Sequence, residues 1–452
     1  MILKMILGLI GLGIVVFIHE LGHFLAARSV GIGVDAFSIG WGKPILKKKI
    51  GDVEYRLGPI PLGGYCKMHG ENDFKAVWEN FKNNVPKDKS TFLGAHPLAG
   101  MWTAFAGPFF NILFAVAVFS VMWGIGFQYK TMSNKIVLVQ DVIKESDSSP
   151  AQRAGLLTGD KIIKIGKKNI ENWYDIQSEI AVSAKKEMPV TILRGSEIIQ
   201  LTVKPDLEKS TGAGKIGIYF WGEPVIEEVI KDSAAEKAGI KAGDRIVKIN
   251  GHEINYSVAI YSVIAGDNPA EGLNIEIQRG NEVINTTLFV PQDEKGDTGI
   301  IWQSIHYATP DYSLFGAIGK GIAETCSTLS TSVRSIALLF GGIDLTKAVS
   351  GPIRITYMAG DIAASGFKQS IGTGIRGIVN FLAIISIALA VMNLLPLPIL
   401  DGGLILIFLI QLVRRKPLNP RFISVFQTAG IVLIAGIMLF ALFGDVMFLV
   451  KG

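Results

Sequence analysis

Apolar residues gather into four long stretches. Leu3–Ala27 carries no ionisable side chain beyond Lys4, His19, Glu20 and His23, and Leu98–Phe127 carries none. Ile378–Val413 holds only Asp401, and Val425–Val450 only Asp445. As helices rising about 1.5 Å per residue, each reaches across roughly 30 Å of hydrocarbon. A cleaved leader fits the first stretch poorly, because no A-x-A-like site closes it. The third is interrupted by Asn393-Leu-Leu-Pro-Leu-Pro-Ile-Leu-Asp-Gly402, whose prolines and glycines break a helix. Broken helix at membrane depth is tolerated where it lines a protein cavity.

Between the second and third stretches the pattern changes. Ser149-Pro-Ala-Gln-Arg-Ala-Gly-Leu-Leu-Thr-Gly-Asp160 returns as Ser233-Ala-Ala-Glu-Lys-Ala-Gly-Ile-Lys-Ala-Gly-Asp244, and Arg194-Gly returns as Arg279-Gly. Two copies are too few for a solenoid, so they predict tandem globular domains. Each reads as a short helix ending at glycine, a Gly-Asp turn and an alternating strand. Val53, Tyr55 and Leu57 alternate with Glu54 and Arg56, then Gly58-Pro-Ile-Pro-Leu-Gly-Gly64 breaks the pattern; this predicts a β-hairpin over Ile50–Gly70. Asp311–Phe340 is helical in pattern but carries Lys320, Glu324 and Arg334, which suits a helix on the membrane surface better than a fifth span.

Composition agrees with a membrane protein. Apolar residues make up 49% and charged residues 18% of the 452, against about 25% charged in soluble domains. Mean hydropathy is +0.40. The net charge of +5 is unevenly placed. Arg28, Lys43, Lys47, Lys48, Lys49, Arg56 and Lys67 follow the first stretch, and Arg414, Arg415, Lys416 and Arg421 separate the last two. Both loops are therefore expected in the cytoplasm, with the termini and the repeats on the outer face. Basic residues so used leave no nucleic-acid surface. Cys66 and Cys326 then fall on opposite sides and form no disulfide.

His19-Glu20-Leu-Gly-His23 is an H-E-x-x-H motif within the first stretch. On a helix, positions four apart share a face, so both imidazoles can hold one zinc ion with Glu20 beside its water. Ionisable groups in hydrocarbon are costly and point to function. A catalytic zinc takes three protein ligands and one open position. A third histidine six residues on is ruled out by Ser29, and His69, His96, His252 and His306 lie outside the spans. Asp401 is the candidate third ligand: like His19, it comes late in a stretch entering from outside.

These motifs together resemble the site-2 protease family (peptidase M50), in its sigma-E-regulating bacterial branch. The repeats resemble the bacterial PDZ signature S-P-A-x-x-A-G-L-x-x-G-D-x-I. The resemblance implies zinc on His19, His23 and Asp401, Glu20 as catalytic base, and Asn393 in contact with substrate. Gly107-Pro-Phe-Phe-Asn111 matches the family's G-P-x-x-N, and Gly40-Trp41-Gly42 departs from its G-F-G-like segment. The implied fold is a four-span α-helical membrane protein with a membrane-reentrant β-hairpin and two α+β PDZ domains between spans two and three. The expected limits are span one 2–28, a cytoplasmic segment 29–97 with the hairpin at 50–70, span two 98–127, PDZ domains 130–206 and 215–292, an outer helical region 293–375, span three 376–413 and span four 422–450. Gly58, Pro59, Ile60, Pro61, Leu62, Gly63, Gly64 and Tyr65 would hold an unwound substrate by strand addition. Lys215, Ile216, Gly217 and Ile218 look like a carboxylate-binding loop of the second PDZ copy. Implied substrates are single-pass membrane proteins: trimmed anti-sigma factors and signal-peptide remnants in the inner membrane. A zinc transporter would need a further polar path through the spans, and a membrane-anchored PDZ scaffold would not need His-Glu-His in hydrocarbon.

Overall fold

The computed structural model of the chain describes residues 2–70, 88–143, 148–208, 212–266, 271–290, 298–339, 351–416 and 418–451. Residues 71–87 of the expected cytoplasmic segment, and 293–297 and 340–350 of the outer helical region, lie outside them. The chain divides into two compact units, one of residues 1–127 with those from 310 onward, the other of residues 128–309.

Among the described residues the first unit holds seven long helices: α1 (Ile2–Ser29), α2 (Pro97–Ile125), α3 (Leu314–Leu339), α4 (Pro352–Gln369), α5 (Ile371–Asn393), α6 (Asp401–Arg414) and α7 (Pro420–Lys451). Among the described residues, α1, α2, α5 and α7 contain the four segments long and apolar enough to cross a membrane. Ala115, Val118 and Phe119 of α2 pack against Ala383, Ile387 and Val391 of α5, with Leu329 and Ile336 of α3 alongside. Asp445, the lone charge of the fourth stretch, is 1% exposed and accepts hydrogen bonds from the Gly351 and Ile353 amides at 2.9 Å. It thereby satisfies free donors at the start of α4, where a carboxylate is favoured.

The third stretch differs from the span expected at 376–413. α5 ends at Asn393, a loop crosses the two prolines, and Asp401 opens a separate helix instead of lying late in one long span. Loop residue Ile399 has φ +73°, a strained conformation for a β-branched residue.

The expected hairpin at Ile50–Gly70 is corrected. Strands β1 (Val34–Trp41), β2 (Leu46–Ile50), β3 (Val53–Leu57) and β4 (Ile60–Met68) form one sheet in the order β2-β3-β1-β4. β3 and β4 are not partners: β1 lies between them, parallel to β3 and antiparallel to β4. The bend at Gly58–Pro59 therefore carries the chain across β1. Phe37 and Val53 pack with Ala27, Phe17, Leu21 and Phe24 of α1.

In the second unit each repeat is a helix and strand pattern closed by a later strand. Ser149 and Ser233 cap helices Pro150–Arg153 and Ala234–Lys237 through the Gln152 and Glu236 amides. Strands Lys161–Ile165 and Arg245–Ile249 each join a four-stranded sheet. The buried Asp160 meets Arg194 through two 2.8 Å bonds, and Asp244 meets Arg279 at 2.7 and 2.8 Å. The recurring Gly-Asp and Arg-Gly pairs thus record one ion pair made twice.

Lys215–Ile218 belongs to the first repeat, not the second. Ile218–Phe220 pairs with Ile136–Leu138, and Ile216 is buried in the first repeat's core. The second repeat has its own counterpart, Ile300–Trp302 pairing with Ile226–Val229, with Gly299 against Ser233 as Gly217 is against Ser149. The boundary expected near residues 206–215 moves accordingly, because the strand that completes each core comes last in its repeat. Strands Gln128–Thr131 and Ile305–Ala308 pair antiparallel, so the chain enters and leaves this unit side by side. Glu227 binds Lys130 and Ser304 beside them, which holds its carboxyl down to about 2.

Burial alone would raise the Asp244 carboxyl, but Arg279 and the Lys241 amide hold it below the usual carboxylate range. Its contribution to stability is therefore complete above the unfolded value of about 3.9 and is lost as pH falls through the depressed native value. Asp244→Asn should lower stability, because the buried Asp244 position loses the ionised acceptor of Arg279 and of the Lys241 amide. Urea unfolding at neutral pH checks this, and a loss that persists undiminished in strong acid would contradict the assignment.

Candidate metal centre

The helical spacing of His19 and His23 brings both Nε2 atoms to one side of α1, 3.2 Å apart. Asp401, on the first turn of α6, meets them there. Its Oδ2 stands 3.2 Å from His19 Nε2 and its Oδ1 3.4 Å from His23 Nε2. Both histidines are 7% exposed. Among the described residues this is the one trio of possible ligands gathered within 4.8 Å of one another.

The triangle fits a metal better than a hydrogen-bond network. His23 Nδ1 donates to the Thr103 carbonyl at 2.8 Å, which leaves Nε2 as the lone-pair nitrogen. His19 Nδ1 lies 3.2 Å from the Asn111 side-chain amide, whose Oδ1 is buried without a partner. A half-turn of that amide, indistinguishable in shape, puts Oδ1 on the His19 Nδ1 proton and satisfies both. Two lone-pair nitrogens and a carboxylate then face one point, and Asp401 Oδ2 has no hydrogen-bond donor. Tetrahedral zinc with bonds of about 2.0–2.2 Å sets its ligands about 3.3–3.6 Å apart, close to these separations.

α2 supplies the closest wall. A Cβ on Gly107 would stand 2.3 Å from His23 Nε2 and 2.8 Å from His19 Cε1, so only glycine lets this backbone approach the imidazoles. Pro108, inside the same helix, has no amide hydrogen of its own to donate to the preceding turn. The sequence pattern marked Gly107 and Asn111 as a motif without their tasks. Thr103 gave no signal, since a carbonyl acceptor is independent of side-chain type.

Glu20 is half-buried on the same helix, its Cγ beside Gly64 of β4. Asn393, the last residue of α5, brings Nδ2 to 3.2 Å from His19 Nε2. Of the candidate substrate strand, Gly58 donates to the Ile39 carbonyl at 2.7 Å and Pro59 abuts Gly42. Ile60 to Gly64 form most of β4, and Tyr65 accepts from Arg56. Gly40-Trp41-Gly42 ends β1, and the Trp41 indole covers Gly63. Lys215–Ile218 is part of the other unit.

The sequence profile of Peptidase family M50 matches residues 7–437. The chain belongs to peptidase family M50. It is 37% identical over 449 residues to a protein of Treponema pallidum provisionally named a zinc metalloprotease, with 99% of each chain covered. It is 30% identical over 462 residues to the regulator of sigma-E protease RseP of Escherichia coli, with 97% of each covered. A provisionally named zinc metalloprotease of Borreliella burgdorferi is 31% identical over 447 residues, covering 96% of this chain and 95% of its own. This M50 chain is thus a metalloprotease of the site-2 protease family, in its RseP-like branch, with apolar helices long enough to embed it in a membrane.

Gly107→Ala should displace the imidazoles and cut zinc affinity at least as much as the 10–100-fold typical of lost supporting contacts. Zinc titration of the purified variant, with helix content followed by circular dichroism, checks this. Unchanged affinity would mean that the α2 wall does not shape the site.

Proposed function

We propose that this protease hydrolyses peptide bonds within or beside the transmembrane segments of single-pass membrane proteins. The observation that carries this reading is the convergence of His19, His23 and Asp401 among apolar helices, with Glu20 and an edge strand next to them. His19, His23 and Asp401 would hold the zinc ion. Zinc bound there supplies the Lewis acidity that makes water a nucleophile near neutral pH.

The remaining work falls to the chain. Glu20 takes the proton of the attacking water and returns it to the leaving amine. Asn393 donates a hydrogen bond to the substrate backbone beside the ligands. A helical substrate hides its amides in its own hydrogen bonds and must be unwound before attack. β4 pairs only with β1 among the described strands, so its other edge can accept an extended segment. Gly63 and Gly64 leave that edge free of side chains where it passes Glu20. In this reading the sheet reaches into the membrane from the side of the basic loops.

The family resemblance suggests the substrates: anti-sigma-type proteins already trimmed elsewhere, and signal-peptide remnants. The repeats act as PDZ domains that control access. Each repeat has an equivalent loop ahead of its closing strand, so either can receive a C-terminal carboxylate on backbone amides.

Glu20→Gln should retain stoichiometric zinc and lose at least about 10²–10⁴-fold in cleavage of a reconstituted transmembrane substrate. Full activity in that variant would remove the mechanism. Replacing residues 128–309 by a short linker exploits their adjacent entry and exit. If the repeats exclude bulky ectodomains, the deletion should speed cleavage of an untrimmed substrate; if they capture new C-termini, it should slow cleavage of a trimmed one. Loss of zinc on deletion would contradict both.

A further inference from the structure

The edge of the four-stranded sheet opposite β4 has no role in the chemistry, yet its composition is unusual. Every residue of β2 is exposed. Ile45, Leu46 and Ile50 are 65%, 64% and 57% exposed. Lys43, Lys47, Lys48 and Lys49 are interleaved with them and make no salt bridge among the described residues. Arg56 on the neighbouring strand differs: it is held by Glu54 and Tyr65.

Register explains the exposure. Leu46, Lys48 and Ile50 stand opposite Leu57, Tyr55 and Val53, and cross-strand partners share a face. Val53 and Tyr55 pack on the core beside α1, but their β2 partners do not. β2 therefore overhangs the core with apolar side chains and free ammonium groups together.

We propose that β2 and the residues just before it, Lys43 to Ile50, form a binding surface for anionic phospholipid headgroups. Lysines pair with the phosphates while Ile45, Leu46 and Ile50 enter the boundary between headgroups and acyl chains. The apolar residues decide against a nucleic acid or an acidic peptide, either of which would leave them in water. Tethering supports the assignment: β1 starts a few residues after α1, one of the four membrane-length segments, so the edge is confined near a bilayer surface. The proposal rests on membrane embedding alone, not on the proteolytic mechanism. Its consequence is that anionic lipid fixes the sheet, and with it β4 beside Glu20.

The test uses the full chain in nanodiscs of phosphatidylcholine, with or without phosphatidylglycerol, read by hydrogen–deuterium exchange. At roughly fivefold per lysine near the surface, phosphatidylglycerol should slow exchange of the 43–57 amides at least fivefold. The effect should fade in high salt, where the screening length drops to about 3 Å. Lys43, Lys47, Lys48 and Lys49 all replaced by Gln should abolish it, and all replaced by Arg should keep it. Exchange in α1 and β1 reports that both variants remain folded. Equal exchange in the two lipids, protection that survives the Gln variant, or stronger protection by an acidic peptide in phosphatidylcholine discs would overturn the proposal.

Discussion

A carboxylate and two imidazoles buried among apolar helices are tolerable only where they face one another or a shared cation. That constraint organises the first unit. It requires α1 and α6 to approach within ligand distance, and therefore a break in the chain between α5 and α6. Gly107 and the carbonyl of Thr103 make α2 the third wall, and Asn111 fixes the remaining imidazole nitrogen. Several polar contacts between these helices lead back to the trio.

The break between α5 and α6 shows how strain is absorbed at such a site. Ile399 sits at positive φ just before Asp401, and a Cβ on Gly403 would fall 2.1 Å from the Leu397 carbonyl. The loop therefore folds tightly over the start of α6, where the carboxylate benefits from free helix amides. Pro398 in turn rests against Gly430 of α7, so the last helix buttresses the loop. A strained backbone persists only when its surroundings over-determine it, and here they do.

Much of this was legible in the sequence, for reasons that differ by residue. His19 and His23 are local in the chain, so helical periodicity alone puts them together. Asp401 stood out because charge is rare in an apolar stretch and because prolines precede it. The repeats were visible through self-similarity. What failed was pairing at a distance. Alternation identified the strand at Val53–Leu57, but the hairpin drawn over Ile50–Gly70 missed that β1 inserts between β3 and β4. Position in the chain assigned Lys215–Ile218 to the repeat that follows it, whereas hydrogen bonding assigns it to the one before. The ion pairs Asp160–Arg194 and Asp244–Arg279 were present as repeated letters, but repetition does not say which letters touch.

The wide separation of His19 from Asp401 has a bearing on biogenesis. The two histidines emerge well before Asp401, which lies far along the chain. At roughly 5–20 residues per second, α1 waits about 20 to 80 s for the carboxylate that faces its imidazoles. During that interval a partial, two-imidazole site is all that exists. A chain halted before Asp401 therefore lacks one corner of the buried trio, and the two imidazoles are left without the carboxylate that faces them.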